Sequence, residues 1–440
     1  MREKIIPTIK SFLIIALAVL AVYQVGQLWL VNLTNGNFGL YLQARFPPSA
    51  PDGQSAFAQP FRIVSGAGDG LFVIRYGGIA ASEEWAFGEE AINAALRNGE
   101  FVAGEDFYFG DVISQRVLIY EYAFDMCAKT FARAMGHRNS AIITDAGIEN
   151  FTSIVVQPTF FNPFDRNDAM RNRHLRVFFV NGTQVLGAFE YEYARLDIMS
   201  PPPFDFPIPA ADPTELHFIA TENGFVPRVQ GEGFSYAAIT VENPFRDARG
   251  MFTLSHIRSR VEHLFDNPAS IFPSVSVDNV YTFSNRNTMV RYLENAVLEY
   301  TSYRTIGRAV QENFMTDFSA ALAFVNADPF VKNEFYLKNH DTRGRAHIFR
   351  FNYVIENHPL VLTQPWHTRP YPRCNDPLFA PIEITVDQGR VIRYRRIVYT
   401  FHADGIMWKP YYELEHAEPF TLGFPIQSDG TIELTALLEE

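Results

Sequence analysis

The chain opens on a run that shows neither a helical nor a strand period. Arg2, Lys4 and Lys10 precede FLIIALAVLAVY, an unbroken apolar stretch from Phe12 to Tyr23, which Val25, Leu28, Trp29, Leu30 and Val31 extend. About 20 apolar residues let a helix cross hydrocarbon, so residues 12–31 are predicted to span a membrane. Basic residues precede the span and the first one after it is Arg45. By the positive-inside rule, residues 1–11 form a cytoplasmic tail and the remainder lies outside the cell. A cleaved signal peptide is the competing reading, but Ala16, Ala18 and Ala21 fall inside the apolar run, where cleavage has no well-placed site. Gln24 and Gln27 sit three apart on one helical face, and Trp29 falls at the outer interface. Amides in lipid seek partners on another helix, so Gln24, Gln27 and Trp29 are the candidate partner contacts within the span.

Beyond the span the pattern changes period repeatedly. Residues 56–80 read as two short strands around a Gly-Ala-Gly-Asp-Gly turn. EEWAFGEEAINAALRN then places Trp85, Ala91, Ile92, Ala95 and Leu96 on one helical side and stops at Gly99. A second helix is predicted over YEYAFDMCAKTFARAMG, through Phe124, Cys127, Phe131 and Met135, with Gly136 as its stop. LRVFFVNGTQVLGAFEYEY reads as a hairpin joined at Asn181-Gly182. The segment from Ser200 to Pro209, SPPPFDFPIP, suits neither helix nor central strand and reads as a linker.

After it come strands near Thr214 to Ala220, Tyr236 to Val241 and Tyr281 to Tyr300, with a helix from Thr253 to Phe265. Ile306, Val310, Phe314, Phe318, Ala321, Leu322 and Val325 recur at helical spacing and predict one long helix ending before Asp328-Pro329. AHIFRFNYVI and PIEITVDQGRVIRYRRIVYTFH follow as a meander, with turns at Asp387-Gln388-Gly389 and at Asp404-Gly405. The predicted class is α+β: one N-terminal transmembrane helix, then two or three mixed domains of antiparallel sheet with packed helices. The expected units are 36–199, a linker at 200–210, 211–305 and 306–440.

Composition narrows the function. Of 440 residues 47% are hydrophobic and 15% aromatic, which excludes a disordered chain. A net charge of -12 repels phosphate backbones, so nucleic acid is not an expected partner. The two cysteines, Cys127 and Cys374, lie in no C-x-x-C pair and are read as two free buried thiols, with one long-range bridge as the alternative.

Candidate chemistry is sparse. Asn339, His340, Asp341 and His347 offer imidazole and carboxylate donors, but the spacing crosses an expected loop in which Arg343 and Arg345 would oppose a cation. His256 and His263 fall at i and i+7 and read as a wet helix face. His402 and Asp404 read as part of a hairpin turn. Arg390, Arg393, Arg395 and Arg396 alternate with Val391, Ile392, Tyr394 and Ile397, which suggests the solvent face of a strand. No nucleophile elbow, phosphate-binding loop, dinucleotide fingerprint or H-E-x-x-H motif occurs, so no catalytic residue, cofactor or metal is expected.

The order of features resembles the YycH family of extracytoplasmic regulators of the cell-wall two-component system of low-GC Gram-positive bacteria. The likeness runs from the basic start and the span ending in Leu28-Trp29, through QPFRIVSGAG and EDFYFGDVISQRVL, to VYTFSNRNTMVRYLENAVLEY. FRFNYVIENHPLVLT and ITVDQGRVIRYRRIV complete it. Ser200–Pro209 and the loop from Trp366 to Asp376 depart from the family pattern. The resemblance implies a non-enzymatic, single-pass protein of the cell membrane whose span and outer domains contact a sensor histidine kinase together with a YycI-like co-regulator. A wall-active or metal-dependent hydrolase and a ligand-binding sensor module are the alternative classes.

Overall fold

The alternating apolar runs of the first half pair into one antiparallel sheet. The computed structural model describes residues 53–410 apart from 159–173, 193–216, 304–313, 362–377 and some shorter intervals, together with 422–425 and 432–433. Strands β1 (Arg62–Ala67), β2 (Phe72–Arg75), β3 (Glu100–Ala103), β4 (Arg116–Cys127), β5 (Asn150–Pro158), β6 (His174–Asn181), β7 (Gln184–Glu192), β8 (His217–Thr221) and β9 (Gly224–Pro227) form a sheet in the order β3-β7-β6-β5-β4-β1-β2-β8-β9. Helices α1 (Gly53–Ala58), α2 (Glu83–Asn98), α3 (Phe109–Ile113) and α4 (Ala128–Ala134) accompany it. The predicted span, with Gln24, Gln27 and Trp29, lies outside the described residues, as do the linker and Cys374. Among the described residues no helix is long and apolar enough to cross a membrane.

Helix α2 forms where the periodicity places it. The Ser82 side chain accepts the Trp85 N–H at 3.1 Å, satisfying one of the donors a helix start leaves unpaired, and the helix stops at Gly99. Trp85, Ala91, Ile92, Ala95 and Leu96 are all buried against the sheet. The hairpin also forms, with Gly182 (φ 60) and Thr183 as its two loop residues between paired Asn181 and Gln184.

The helix expected to begin near Tyr120 is corrected: β4 runs on to Cys127 and α4 starts only at Ala128. The misleading spacing has a structural cause. Pairing of β4 with β5 jumps from Glu121↔Ser153 to Met126↔Phe151, so Tyr122 to Asp125 bulge out of the ladder and break the strand period.

The second half builds a larger sheet. Its strands are β11 (Phe272–Val275), β12 (Tyr281–Ser284), β13 (Thr288–Leu293), β14 (Val297–Ser302), β15 (Glu334–Arg343), β16 (Ala346–Ile355), β17 (His358–Val361), β18 (Ile382–Asp387), β19 (Arg390–Ile397) and β22 (Ile432–Glu433). They run β11-β12-β13-β14-β19-β18-β16-β17-β22, with β15 also on β16, and among the described residues only the β17–β22 pairing is parallel. Strands β10 (Gly233–Glu242), β20 (Thr400–Pro410) and β21 (Leu422–Pro425) form a third, small sheet. The architecture is therefore mixed α+β with antiparallel sheets and few helices. The sheet continues across residue 305, because β14 pairs with β19, and β8 and β9 extend the first sheet although they follow the expected linker.

Helix α5 (Leu254–Val261) and helix α6 (Phe314–Ala327) complete the described framework. Helix α6 ends before Asp328-Pro329, as its pattern predicts, and buries Phe318, Ala321 and Val325, while the predicted part with Ile306 and Val310 lies outside the described residues. The expected turn at Asp404-Gly405 is corrected. Strand β20 runs straight through it, and the register passes from Ala238↔Gly405 to Ile239↔Ala403, so Asp404 is the extra residue of a bulge. Turn-forming residue types also suit a bulge, and a paired partner strand decides between the two.

The two large sheets meet along one aromatic seam. Phe57 of α1 packs edge-on against Phe314 and Phe318 of α6, with ring centroids 4.9 and 5.4 Å away. Phe61 meets Tyr336 at 5.5 Å, and the Gly78 N–H donates to the Glu334 carboxylate at 2.9 Å. The bulged Tyr122, Ala123 and Phe124 line the same seam, so the irregularity in β4 makes room for β15 of the second sheet.

Candidate functional site

The charged residues of the second sheet form a row perpendicular to its strands. Arg291 on β13 is the cross-strand partner of Glu299 on β14, which partners Arg395 on β19. Arg395 in turn partners Glu383 on β18, and Glu383 partners Arg350 on β16. Arg395 Nε lies 3.2 Å from Glu299 and Nη1 lies 3.6 Å from Glu383, while Arg350 Nε donates to Glu383 at 2.9 Å. Opposite charges placed directly opposite stabilise a sheet, and here five strands carry them in alternation.

The other face of these strands is apolar. Tyr300, Tyr394, Ile384 and Phe349 are paired neighbours beneath α6, where Phe324 meets Tyr394 at 5.1 Å and Phe318 meets Phe349 at 5.5 Å. One ion pair lies within this layer. Arg396 Nε is 2.8 Å from Asp328, immediately beyond the end of α6, and both side chains are fully buried. Burial by itself would raise the Asp328 carboxyl, but Arg396 and then His263 override it and hold it well below the ordinary carboxylate range. Tyr394 donates to the same carboxylate at 3.0 Å, and burial followed by the Asp328 charge pushes its hydroxyl well up.

These positions correct the reading of Arg395 and Arg396 as a solvent face. Both are buried, on opposite sides of β19, and only Arg390 of the four is exposed. The apolar-basic alternation does not sort the two faces, because Arg396 shares a face with Tyr394 and Arg395 shares one with Ile397. His263 is corrected likewise. Helix α5 gives way to a tighter turn over Glu262–Leu264, which carries His263 to within 3.5 Å of Asp328, while His256 approaches the Pro244 carbonyl at 3.2 Å. His402 is exposed beside Glu242 at 3.5 Å, and the expectation of a buried thiol is corrected for Cys127, which is free but exposed at the end of β4.

The loop expected around His340 is instead a hairpin of β15 and β16. His340 Nε2 and His347 Nδ1 are 3.0 Å apart, and Phe314 packs edge-on against both rings at 4.7 and 5.4 Å. Burial, then the neighbouring His347, lowers His340 to about 4, against the opposing pull of Asp341. Among the described residues no group of three or more His, Cys, Asp or Glu side chains converges as a metal cluster.

The seam holds a partly open pocket of about 80 Å³ lined by Phe57, Tyr76, Tyr122, Phe318, Glu334 and Phe351. Small-molecule sites run to about 300–1,000 Å³, so this one suits a few atoms at most. Sequence reasoning missed Glu299, Asp328 and Glu383 as partners of the arginine string. Acidic residues on separate strands were the available signal, and their pairing depends on contacts up to 96 positions apart.

No protein-family model matches the chain, and no curated protein matches it either. Its fold is similar to the crystal structure of YycH from Bacillus subtilis at 9% identity and a TM-score of 0.45, covering 87% of this chain and 96% of that one.

Proposed function

We propose that the protein is a membrane-anchored extracytoplasmic regulator that modulates a sensor histidine kinase of cell-wall homeostasis by contact. Residues 12–31 hold it in the cell membrane, residues 1–11 face the cytoplasm, and a YycI-like protein is its co-regulator. The observation that carries this reading is the basic start and apolar run from Phe12 to Tyr23, placed ahead of an outer chain with the strand patterns quoted above. The geometry is compatible with a contact role. Among the described residues several buried carboxylates and guanidinium groups pair with one another, as in Arg395 with Glu299 and Arg396 with Asp328.

Control by contact requires only that the protein bind two kinase conformations with different affinity. A coupling of about 1–3 kcal/mol shifts an equilibrium five- to 150-fold. Gln24 and Gln27 in the span supply the polar contacts that a partner helix would meet in lipid. Co-purification of the full-length protein from detergent with the histidine kinase tests the reading. The expected outcome is a complex that is lost, together with the wall-stress response, on deletion of residues 1–31. Absence of the complex and an unchanged response would overturn it.

A further inference from the structure

We propose that His340 and His347 form a two-imidazole site for a borderline divalent transition-metal ion, with zinc as the probe, clamping β15 to β16 beneath the first turn of α6. The hairpin turns at Gly344-Arg345, with Gly344 at φ 67 supplying the left-handed position. Its register sets His340 opposite Phe349 and His347 opposite Thr342, so the imidazoles are diagonal neighbours on one face of a paired ladder.

Their facing nitrogens are 3.0 Å apart. Zinc–nitrogen bonds of about 2.0–2.1 Å in a tetrahedral shell place two such nitrogens about 3.3 Å apart, so a few tenths of an ångström of opening accommodates the ion. Without a metal the two rings share one hydrogen bond; a metal would use both lone pairs. Asp317 Oδ2 lies 3.8 Å from Nε2 of His347, so a carboxylate faces that ring on the side away from His340, where it would orient the imidazole as a metal ligand. For His340 to present the Nε2 lone pair its proton must sit on Nδ1, so binding exchanges the shared hydrogen bond for two metal–nitrogen bonds.

Arg345, one of the two guanidinium groups that the sequence sets against a cation, pairs with Asp387 at 3.2 Å, and Arg350 on β16 pairs with Glu383 at 2.9 Å. Asn339 and Asp341 alternate with His340 and point to the other face of β15, so water, which the partly exposed His347 side chain still meets, would fill the remaining coordination positions. Imidazole donors with water select zinc, nickel or copper over the harder magnesium and calcium ions.

The test titrates zinc chloride into the detergent-solubilised full-length protein, read by calorimetry and by NMR of isotope-labelled histidine rings. One equivalent should bind, moving two ring signals, and His340→Gln or His347→Gln should each abolish stoichiometric uptake. Asp317→Asn, which keeps an oxygen for its other contacts, should weaken uptake about 10- to 100-fold. No uptake by the folded wild type would overturn the proposal, as would full uptake by the double glutamine variant. Should the variants not fold, zinc binding to the wild type that leaves the His340 and His347 rings unmoved would also overturn it.

Discussion

Arg396 on β19 and Asp328 beyond α6 meet at 2.8 Å with neither side chain reaching solvent. The pair ties the end of a helix to the centre of a sheet, and it does so inside an apolar layer. Its importance lies in being complete: a buried charge without its partner is far costlier than no charge at all.

Asp328→Asn or Arg396→Met should therefore destabilise the protein by about 3–5 kcal/mol, because each leaves one buried charge uncompensated. Replacing both with apolar residues of similar volume should recover most of the loss. Urea denaturation of the single and double variants, followed by circular dichroism, measures this. A loss in the double variant equal to the sum of the two single losses would show that the pair is not coupled.

Acid should expose the same interaction. The folded Asp328 carboxyl is held below its unfolded value, so the unfolded state binds the proton first. The stability it contributes is present above about pH 4 and is lost as pH falls further, through the ordinary carboxylate range and towards the lowered folded value. Denaturation midpoints measured between pH 6 and pH 2 should fall more steeply in the wild type than in Asp328→Asn.

Position along the charged row should set the cost of breaking it. Glu299 is buried between Arg291 and Arg395, so Glu299→Gln should cost about 3–5 kcal/mol with little dependence on salt. Asp341 is exposed and 3.9 Å from Arg350 at the row's margin, so Asp341→Asn should change stability by no more than about 1 kcal/mol. Denaturation at low and high salt separates the two cases.

Gly88 lies in the middle of α2, where alanine would ordinarily favour a helix by about 1 kcal/mol. A Cβ there would overlap the Tyr120 ring, whose hydroxyl donates to the Glu84 carbonyl at 2.7 Å. Gly88→Ala should accordingly destabilise by about 1–3 kcal/mol through overpacking, despite its better propensity. A melting temperature unchanged or raised would show that the helix can shift off β4.

Local signals were legible in the chain from residues that act on their immediate neighbours. Ser82 and Gly99 bound α2, Gly182 turns one hairpin, and Gln388 with Gly389, both at positive φ, turns another. The periodicity of Trp85 to Leu96 and of Phe318 to Val325 identified the buried faces of two helices. What these residues need is set within a few positions of each, so sequence spacing suffices to reveal it.

Tertiary structure decided whatever depended on distant partners. The string from Arg390 to Arg396 shows which side chains point apart, but not that Arg395 would find Glu299 and Arg396 would find Asp328. The same holds for Asp404, a bulge because β10 pairs on past it, and for His340 and His347, brought together by a hairpin. A charged or turn-forming residue is read by default as facing water, since burial without a partner is costly. Only the folded sheet supplies the partner that removes that cost.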